Sequence, residues 1–479
     1  MDRVSPAGAA LREIADLPGP RGLPLFGNAL QLDSTRIHRV AEKWHRAYGD
    51  CFRFSIGKRR FMVIADPEAI GGVLRDRPDG FERTGRLEET AREMGFGGVF
   101  SSNGERWRQQ RPMVMAGLDP THIKAYYPTL VKVTERFAQR WRRAAGSSSG
   151  AAIDLQSDLM RYTVDVTAGL AFGADINTIE SDREVIQRHL DKILPALFRR
   201  LMAPFPYWRL FPLPRELALR GHLRALRAAV EGFIAAARKR IDAEPRLREE
   251  PANLIEAMIA ARDRAGSGLT DEDVSGNVLT MLLAGEDTTA NTLAWMIYLL
   301  SRHPDALRRA ADEVRAMLPP GELPAQEQLG ALAYVDACMN ETMRLKPVAP
   351  IIVQQAARET VVAGVRVPKG QLVLCLMRPA ATADSNFRNA GAFEPQRWLE
   401  GGAVAAGSAK RVAMPFGAGP RLCPGRYLAM LEMKMVMAMI LSAFDIEGVD
   451  TPDGAEAREE LHLTMMPVGL RLRLRARQK

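Results

Sequence analysis

The segment Val278–Leu300, VLTMLLAGEDTTANTLAWMIYLL, constrains the fold of this chain more than any other part of its sequence. It is long and apolar enough to be considered as a membrane span. Glu286 and Asp287 lie at its centre, however, and each charge at that depth of a bilayer would cost roughly 2.5–3.5 kcal/mol. The segment therefore predicts a helix buried inside a folded protein, with polar residues at its middle that need a chemical reason.

Local signals set the limits of this long helix. Thr270, followed three residues later by Asp273, forms a capping-box pattern and predicts the start of the helix. His303 followed by Pro304 predicts its end, because proline disfavours helical backbone in the residue before it. A helix of this length, with a rise of about 1.5 Å per residue, crosses a whole domain.

The other patterns are mostly helical up to about Lys346 and then change to short strands. Before the long helix they predict a helix between Ser34 and Gly49, the strands CFRFSI and RFMVIA, and a helix capped by Asp66. After Lys346 they predict the β segments TVVAG, VRVPKG and LVLCLM, a helix at Arg426–Phe444 and a final strand pair at about His462–Leu474.

Composition and charge exclude several classes of protein. Of the 479 residues, 47% are hydrophobic and 26% charged, which is typical of a globular protein and not of a disordered one. The net charge of +9 comes from scattered arginines without like-charge runs, so nucleic-acid binding is not predicted. The four cysteines form no C-x-x-C pair, which disfavours structural zinc and fits a reducing, cytoplasmic compartment. Met1–Asp16 lacks an apolar signal region, so no membrane anchor is expected.

The most specific motif is the loop Phe416–Gly425, FGAGPRLCPG. A thiolate that binds a metal in an apolar site needs backbone N–H groups and a helix N-terminus to stabilise its charge. Gly417 and Gly419 permit a tight turn close to Cys423, and Pro424 suits the first turn of a following helix. The alternative, a buried free cysteine in a glycine-rich turn, leaves these matched positions unexplained.

A polar motif, AGEDTT at Ala284–Thr289, interrupts the long helix. Thr288 can donate a hydrogen bond to the carbonyl oxygen of Ala284 and loosen the helix there, and Gly285 removes side-chain bulk beside it. The pattern predicts a small groove for dioxygen, with Asp287 and Thr288 as an acid–alcohol pair that delivers protons. The alternative is a polar patch that binds buried water.

Two weaker motifs depend on their context. Glu341 and Arg344, in ETMR, share one helical face, but the same spacing recurs elsewhere. Only its context distinguishes this pair, which precedes LKP, follows the AGEDTT motif and lies upstream of the Cys423 loop. Trp107 and Arg111, in WRQQR, are four residues apart, so the indole N–H and the guanidinium can both reach one carboxylate. Taken alone, this second pair is equally compatible with a surface tryptophan beside an arginine.

Together the motifs resemble those of the cytochrome P-450 family, whose haem-binding loop reads F-x-x-G-x-R-x-C-x-G and whose oxygen-activation motif reads A/G-G-x-D/E-T-T/S. The resemblance covers essentially the whole chain, and the motifs occur in the family's order. It implies the cytochrome P-450 fold: one mainly α domain over residues 1–479 with a small β-rich region and an irregular tail at 1–16. Haem would lie between the long central helix and the Cys-ligand loop, and bacterial single-chain members look most similar.

The resemblance also assigns roles to individual residues. It implies haem b, with Cys423 as the axial iron ligand, Phe416 beside the sulfur, and Trp107, Arg111 and Arg421 at the propionates. It implies Gly285, Asp287 and Thr288 as oxygen-activation residues, and a structural ion triad of Glu341, Arg344 and Arg397. Gln354 stands where many members have an arginine, so one propionate contact is expected to be missing or replaced. Gln396 and Trp398 depart from the family's P-E-R-F pattern, whereas Arg397 keeps it.

The substrate is less well defined by the sequence. Periodicity alone would assign the pocket candidates to ordinary core, and only their position relative to the motifs selects them: Val99, Phe100, Met281, Ala284, Ala349, Ile351 and Leu463. All are apolar or small, which predicts an apolar substrate. Fatty acids, terpenoids, steroids and polyketides are all compatible with this set.

The implied function is a soluble haem-thiolate monooxygenase that inserts one oxygen atom of dioxygen into a small apolar substrate by hydroxylation or epoxidation. Its NAD(P)H electrons would come through a separate ferredoxin or flavodoxin with its reductase, because no GxGxxG motif and little chain length remain for a fused flavin domain. The alternatives are a peroxide-using or isomerising haem-thiolate enzyme and a non-catalytic haem sensor. A monomer is expected.

Two surface features complete the predictions. Pro204–Glu216, rich in proline and aromatic residues between helical segments, is predicted to be a mobile lid over the substrate entrance, or otherwise a hydrophobic turn packed on the core. Polar, mainly basic residues around the Cys423 loop are predicted to form a docking face for an acidic redox partner: Arg106, Arg108, Gln109, Lys410, Arg411, Arg426 and Lys434.

Overall fold

The computed structural model describes residues 11–118, 120–146, 152–181, 185–211, 213–399, 409 and 411–478. Within them, helices form most of the molecule and strands form small sheets. The helices are α1 (Ile37–Tyr48), α2 (Pro67–Arg75), α3 (Gly85–Glu93), α4 (Gly104–Gly117), α5 (Pro120–Ala145), α6 (Leu155–Phe172), α7 (Val185–Met202), α8 (Tyr207–Leu210), α9 (Pro214–Ala243), α10 (Leu254–Asp263), α11 (Asp271–Arg302), α12 (Pro304–Met317), α13 (Gln326–Ala331), α14 (Ala333–Leu345), α15 (Arg378–Ala381) and α16 (Arg426–Ala443). This is the mainly α fold that the sequence predicted.

The strands are β1 (Arg12–Glu13), β2 (Cys51–Ile56), β3 (Arg59–Ile64), β4 (Phe81–Glu82), β5 (Ile153–Asp154), β6 (Ile351–Ala356), β7 (Thr360–Val362), β8 (Val365–Val367), β9 (Leu372–Leu376), β10 (Phe444–Asp450), β11 (Glu459–Leu461), β12 (Met465–Pro467) and β13 (Arg471–Ala476). The largest sheet has the order β2-β3-β9-β6-β4, and its β3 and β9 are parallel. Two three-stranded sheets, β1-β8-β7 and β10-β13-β5, and the β11-β12 hairpin lie outside it.

The long helix α11 forms the centre of the main core. Thr270 and Asp273 make the reciprocal hydrogen bonds of a capping box at its start, and the helix ends just before His303, both as predicted. Along most of its length α11 is buried on all sides, where it packs against α6, α9, α10, α14 and α16. A helix that is apolar all round needs such complete burial.

Three local predictions differ from the structure. The N-terminal tail is not irregular throughout, because Arg12–Glu13 pairs with β8 and Ile14–Asp16 forms a 3-10 turn. The helix predicted from Ser34 begins at Ile37, because a 3-10 turn capped by Asp33 precedes it. The chain segment at 462–474 is not one strand pair: β12 pairs with β11, whereas β13 pairs with β10 and β5.

The sequence patterns also missed β6, which lies between β9 and β4 in the largest sheet. The low-complexity segment GSSSGAA at 146–152 predicts a hinge between helices, but most of it, residues 147–151, lies outside the described residues. In the described part of the chain, no helix is both long and apolar enough to span a membrane.

Candidate functional site

The loop before α16 presents Cys423 on a tightly folded backbone. The backbone N–H of Cys423 donates to the carbonyl oxygen of Phe416 (3.0 Å), and Leu422 donates to Gly419 (2.9 Å). Gly419 has a φ of +70°, and a Cβ there would lie 2.6 Å from the Cα of Arg75. Glycine is therefore required both by the backbone conformation and by the close approach of α2.

Opposing effects act on the thiol of Cys423. The side chain is exposed, yet protein surrounds it closely enough that desolvation raises the pKa of the thiol. The backbone N–H groups of Gly425 and Arg426 donate to the sulfur, and the charges of Arg111 and Arg426 act with them in the opposite direction. These donors come from the first turn of α16, so the sulfur has the N–H support that a metal-bound thiolate requires.

Four arginines, here called the arginine cluster, gather beside this loop: Arg77, Arg83, Arg111 and Arg421. Burial and the charges of the neighbouring arginines lower the pKa of Arg421 to about 10 and that of Arg83 to about 9. The cluster donates mainly to backbone carbonyl oxygens, including those of Leu74, Phe100, Leu422 and Ser102. The Nε of Arg421 is buried and has no hydrogen-bond partner among the described residues.

This arrangement fits an anionic group. Several close cations with mostly neutral partners are unfavourable unless an anion neutralises them. Trp107, which is buried, lies under the guanidinium of Arg421, with 4.7 Å between the carbon of the guanidinium and the ring centroid. The two carboxylates of haem propionates are opposite in charge to the cluster, and the loop that supports a thiolate suits the iron. The residues present therefore fit haem.

Arg77 and Arg83 were missed by the sequence analysis, because neither belongs to a recognisable motif. Gln354, at the position where an arginine was expected, is fully buried in β6. Its amide nitrogen donates to the carbonyl oxygen of Val353 (2.9 Å). The structure therefore places two additional cations near the loop that could replace the missing arginine.

The polar segment of α11 forms the second part of the site. The hydroxyl of Thr288 donates to the carbonyl oxygen of Ala284 (2.9 Å), as the spacing predicted. Ala284 is exposed, although most of the helix around it is buried. Gly285 differs from its predicted role, because a Cβ there would lie 2.5 Å from the hydroxyl of Thr167 on α6. Its missing side chain permits helix packing, and the opening lies at Ala284.

Asp287 makes contacts that its sequence neighbours did not predict. Asn291, one turn later on α11, donates to one carboxylate oxygen (2.8 Å). Thr464, in the turn between β11 and β12, donates to the other. The helical spacing of Asn291 from Asp287 could have indicated the first contact, whereas no local signal indicated the second.

A hydrogen bond joins the two parts of the site. Thr289 on α11 donates to Glu432 on α16, the helix that begins directly after the Cys423 loop. Glu432 is buried, and burial raises the pKa of its carboxyl group well above the ordinary value. The oxygen-motif segment and the cysteine helix are therefore in direct contact.

The predicted triad residues Glu341, Arg344 and Arg397 contact one another, with Glu341 and Arg344 on α14. Glu341 accepts two hydrogen bonds from Arg344 (2.7 and 2.8 Å) and one from Arg397 (3.0 Å). The indole N–H of Trp398 donates to the same carboxylate (2.8 Å), as does the backbone N–H of Glu394 (2.8 Å). Trp398, a departure from the family's pattern, thus adds a hydrogen-bond donor.

Most of the predicted pocket residues lie on α11 or next to residues that contact α11. The backbone N–H of Val99 donates to Asn277 (2.8 Å), one helical turn before Met281, and Leu463 precedes Thr464. Ala349 follows Val348, whose carbonyl oxygen accepts from Met465 (2.7 Å). Two candidates lie elsewhere: Phe100 stacks under Arg83, and Ile351 packs between the main core and the cluster around β2 and β3.

The predicted basic docking face is weaker than the sequence indicated. Arg106 pairs with Asp273, Arg108 with Asp79, and Lys434 with Asp336. Arg411, Arg426 and Gln109 are exposed, and Lys410 lies outside the described residues. Local acidic partners therefore neutralise three of the predicted cations.

The segment predicted to be a lid is anchored at its middle. Trp208 is buried, and its indole N–H donates to Glu93 on α3 (2.9 Å). Arg200 and Glu216 form a buried ion pair (2.7 Å). Phe205 and Phe211 remain exposed on either side of this anchor.

Comparison with known proteins gives a consistent family. The sequence profile described as Cytochrome P450 matches residues 17–473. The chain is 28% identical over 459 residues to a pentalenene oxygenase of Streptomyces avermitilis, with 96% of this chain and 97% of the relative covered. It is 27% identical over 459 residues to a chloroplastic carotene epsilon-monooxygenase of Arabidopsis thaliana, with 92% and 80% covered.

Two further relatives show the range of architectures. A self-sufficient cytochrome P450 monooxygenase of Penicillium freii is 27% identical over 473 residues, and the match covers 97% of this chain but 43% of that protein. Among solved structures, a cytochrome P450DA haem domain superposes with a TM-score of 0.82 at 22% identity, covering 98% of this chain and 99% of that one. This structural similarity supports the fold.

Proposed function

Because this chain belongs to the cytochrome P450 family of monooxygenases, we propose that it inserts one oxygen atom of dioxygen into a small apolar substrate. The second oxygen atom leaves as water, with two electrons and two protons consumed for each turnover. The observation that carries the proposal is the Cys423 sulfur, supported by N–H groups of α16 and flanked by the arginine cluster.

Cys423 would bind the iron of haem b, and Phe416 would lie beside the sulfur. Arg111, Arg421 and Trp107 would hold the haem propionates. Arg77 and Arg83 extend this set, since their charges adjoin Arg421. Thiolate-bound haem supplies the electron density that favours cleavage of the O–O bond. The protein's own part would be to support the metal-bound sulfur with backbone N–H groups and to neutralise the propionates.

Proton delivery is assigned to the polar segment of α11. Asp287 is buried beside Thr288, where an acid can pass protons inward from solvent one at a time. The hydroxyl of Thr288 donates its one hydrogen bond to the carbonyl oxygen of Ala284, an exposed residue, and would pass on a proton by exchanging that bond. Gly285 contributes by letting α6 pack closely, which keeps this segment of the helix in place.

The substrate is proposed to be an apolar hydrocarbon that contacts Val99, Met281, Ala284, Ala349 and Leu463. Pentalenene and carotene, named for two relatives, are both terpenoid hydrocarbons. Terpenoids are therefore the first class to test, with fatty acids, steroids and polyketides in the same spectral binding screen. A compound that shifts the haem spectrum at micromolar concentration identifies the class.

Electrons from NAD(P)H are proposed to arrive through a ferredoxin or flavodoxin with its reductase, in a cytoplasmic, monomeric protein. Arg411 and Arg426 are exposed near the Cys423 loop and would attract an acidic partner. Reversing Arg411 to glutamate should slow reduction by the partner, and reduction should also slow as salt rises. Arg426 is left unchanged, because its charge also acts on the Cys423 sulfur. Lys434→Glu is the control, since its amine is already paired with Asp336.

The segment 204–216 is proposed to move over the substrate entrance, with Trp208 as its anchor. Substrate should slow hydrogen exchange there, and Trp208→Phe, which loses the bond to Glu93, should raise exchange in the free protein. Exchange that is slow and unaffected by substrate would show a permanently packed turn instead.

Two alternative functions can be tested with the same purified protein. A peroxide-using or isomerising enzyme would turn over without a reductase, and a haem sensor would consume no dioxygen in response to any substrate. The presence of Asp287 and Thr288 favours the monooxygenase, because neither alternative requires an acid–alcohol pair.

The central experiment replaces Cys423 with serine and compares it with Cys51→Ser, a partly buried cysteine on β2. The reduced carbon-monoxide complex of the wild type and of Cys51→Ser should show the thiolate-specific absorption band. Cys423→Ser should lose that band. If the band persists in Cys423→Ser, the ligand assignment is wrong.

Thr288→Ala tests proton delivery. In this variant the reducing equivalents from NAD(P)H should form hydrogen peroxide in place of oxidised substrate.

A further inference from the structure

The turn between β11 and β12 brings a strained residue to the side of α11. Leu463 has a φ of +89°, a backbone conformation that a leucine rarely adopts. Such strain persists only where surrounding contacts enforce it, and it costs of the order of the strength of a hydrogen bond. The residue that follows, Thr464, is buried and donates its hydroxyl hydrogen bond to Asp287.

Both oxygens of the Asp287 carboxylate are thereby engaged from different elements. Thr464 donates to one oxygen from the turn, and Asn291 donates to the other from α11 itself (2.8 Å). Asn291 is in turn oriented by Gln156 of α6, whose amide donates to its carbonyl oxygen (3.2 Å). Donors on two sides fix the position of a carboxylate more firmly than one donor can.

Several contacts clamp the hairpin that carries Thr464. The backbone N–H of Met465 donates to Val348 (2.7 Å), and the indole N–H of Trp295 on α11 donates to the carbonyl oxygen of Met465 (3.4 Å). At the base of the hairpin, Glu459 is buried between Arg378 (2.9 Å) and Lys346 (2.8 Å). These contacts supply the free energy that holds the Leu463 backbone in its unfavourable conformation.

We propose that Thr464 is a positioning residue for proton delivery, which fixes the carboxylate of Asp287 beside Thr288. This inference rests on the proposed function of Asp287. It also joins two parts of the site, because Leu463, a predicted substrate contact, and Thr464 share one backbone turn. Substrate that seats against Leu463 would therefore act on the same turn that holds the acid.

The test compares Thr464→Val, which removes the hydroxyl but keeps the shape, with Thr464→Ser, which keeps the hydroxyl. In the reconstituted holoenzyme, Thr464→Val should lower product formed per NAD(P)H roughly tenfold, a change expected for loss of a hydrogen bond to a charged group. Thr464→Ser should stay within about twofold of the wild type. KM and the substrate-induced spectral shift should change little in either variant.

Thr342→Val is the matched control. Thr342 is equally a buried threonine, and its hydroxyl donates to the carbonyl oxygen of Cys338 within α14 (2.8 Å), away from Asp287. It should leave the yield of product per NAD(P)H unchanged. If Thr464→Val does not fold, Thr464→Ala replaces it against the same serine variant.

A second measurement needs no turnover. Unfolding by urea, followed by circular dichroism, gives a double-mutant cycle for Thr464→Val and Asp287→Ala, since alanine, unlike asparagine, cannot accept the Thr464 hydrogen bond. Their effects on the unfolding equilibrium constant should be non-additive by roughly tenfold if the two side chains bond directly. Additive effects on stability would overturn the inference. So would a Thr464→Val enzyme with the wild-type yield of product per NAD(P)H beside an Asp287→Asn enzyme with a lowered yield, and that result would leave the role of Asp287 intact. If Asp287→Asn itself keeps the wild-type yield, the role of Asp287 in proton delivery is wrong.

Discussion

Two regions of the core bury a glutamate to nearly the same extent and stabilise opposite protonation states. Glu341, 0% exposed, receives hydrogen bonds from Arg344, Arg397 and Trp398. Burial alone would raise its pKa, but these donors and charges outweigh burial and leave the pKa below the ordinary value. Glu432, 2% exposed, has one donor, Thr289, and burial raises its pKa well above the ordinary value.

The surroundings of Glu432 reinforce the difference. Tyr126 and Tyr162 lie near it, and burial raises the pKa of both phenols. Among the residues that the structure describes, no cation contributes to the pKa of Glu432, and only Thr289 opposes the effect of burial. Burial depth therefore does not decide whether a carboxyl group in this protein is charged. The number of cationic and N–H partners decides it, and this has opposite consequences for pH dependence.

The largest expected effect comes from removing the cation that Glu341 depends on. Arg344→Met leaves the buried Glu341 carboxylate with too few donors and removes hydrogen bonds to the carbonyl oxygens of Ala381 and Ala390. We expect a loss of about 3–5 kcal/mol in the free energy of unfolding, measured by urea denaturation.

The control for this change is Arg308→Met. Arg308 forms an exposed ion pair with Asp305, and its loss should change stability little. Equal effects of the two substitutions would mean that the Glu341 region does not depend on its ion pairs.

The second prediction concerns the pH dependence caused by Glu432. Its folded-state pKa lies above the ordinary value of 4.5, so the folded protein binds more protons than the unfolded chain between these two pKa values. The stability of the wild type should therefore fall with rising pH in this range, by up to about 1.4 kcal/mol per pH unit from this group. Glu432→Gln, which cannot ionise, should become progressively more stable than the wild type as pH rises above 4.5.

Glu231→Gln, at an exposed position on α9, provides the comparison. It should follow the wild type at every pH. A Glu432→Gln protein that tracks the wild type in the same way would indicate that Glu432 is charged in the folded state. Its region would then resemble that of Glu341.

A smaller effect is expected from Trp398→Phe, which restores the family's residue type. The ring is kept, but the indole N–H that donates to Glu341 is lost. Because this bond is made to a charged carboxylate, we expect a loss of about 1.5–3 kcal/mol at neutral pH. The loss should shrink at acidic pH, as Glu341 becomes protonated and the bond weakens. A pH-independent loss would point to packing of the ring rather than to the hydrogen bond.

The smallest effect is expected from Thr289→Val, which removes the donor to Glu432. Burial raises the pKa of this carboxyl group well above its ordinary value of 4.5, so near pH 4.5 the lost bond joins two uncharged groups in the folded protein and is worth about 0.5–1.5 kcal/mol. Unfolding by urea near pH 4.5 measures this loss. An effect as large as that of Trp398→Phe would show that Glu432 carries a charge.

Elements whose signals are local could be predicted from the amino-acid sequence. The capping box at Thr270, the Pro-Gly pattern around Cys423 and the apolar length of α11 each depend on residues a few positions apart, and the structure has them as predicted. The Glu341 triad was found through its motif, which also depends on short spacings apart from Arg397. For such features, backbone geometry and helical periodicity are sufficient.

Tertiary structure decided the features that depend on distant residues. Thr464 reaches Asp287 across most of the C-terminal half of the chain, and Arg77 and Arg83 join Arg421 from a segment far upstream. The pairing of β13 with β10, rather than with β12, was likewise invisible, because strand partners are selected by packing and not by the strand's own sequence.

The protonation state of Glu432 likewise depends on residues that are distant in the sequence. Its sequence neighbours on α16 predict only a buried helix face, whereas Glu341 on α14 was recognised through its motif. What separates the two is the number of donors brought by other elements: several for Glu341 and one for Glu432. Desolvation and hydrogen bonding act through space, so the protonation state of a buried group is fixed only when the chain has folded around it.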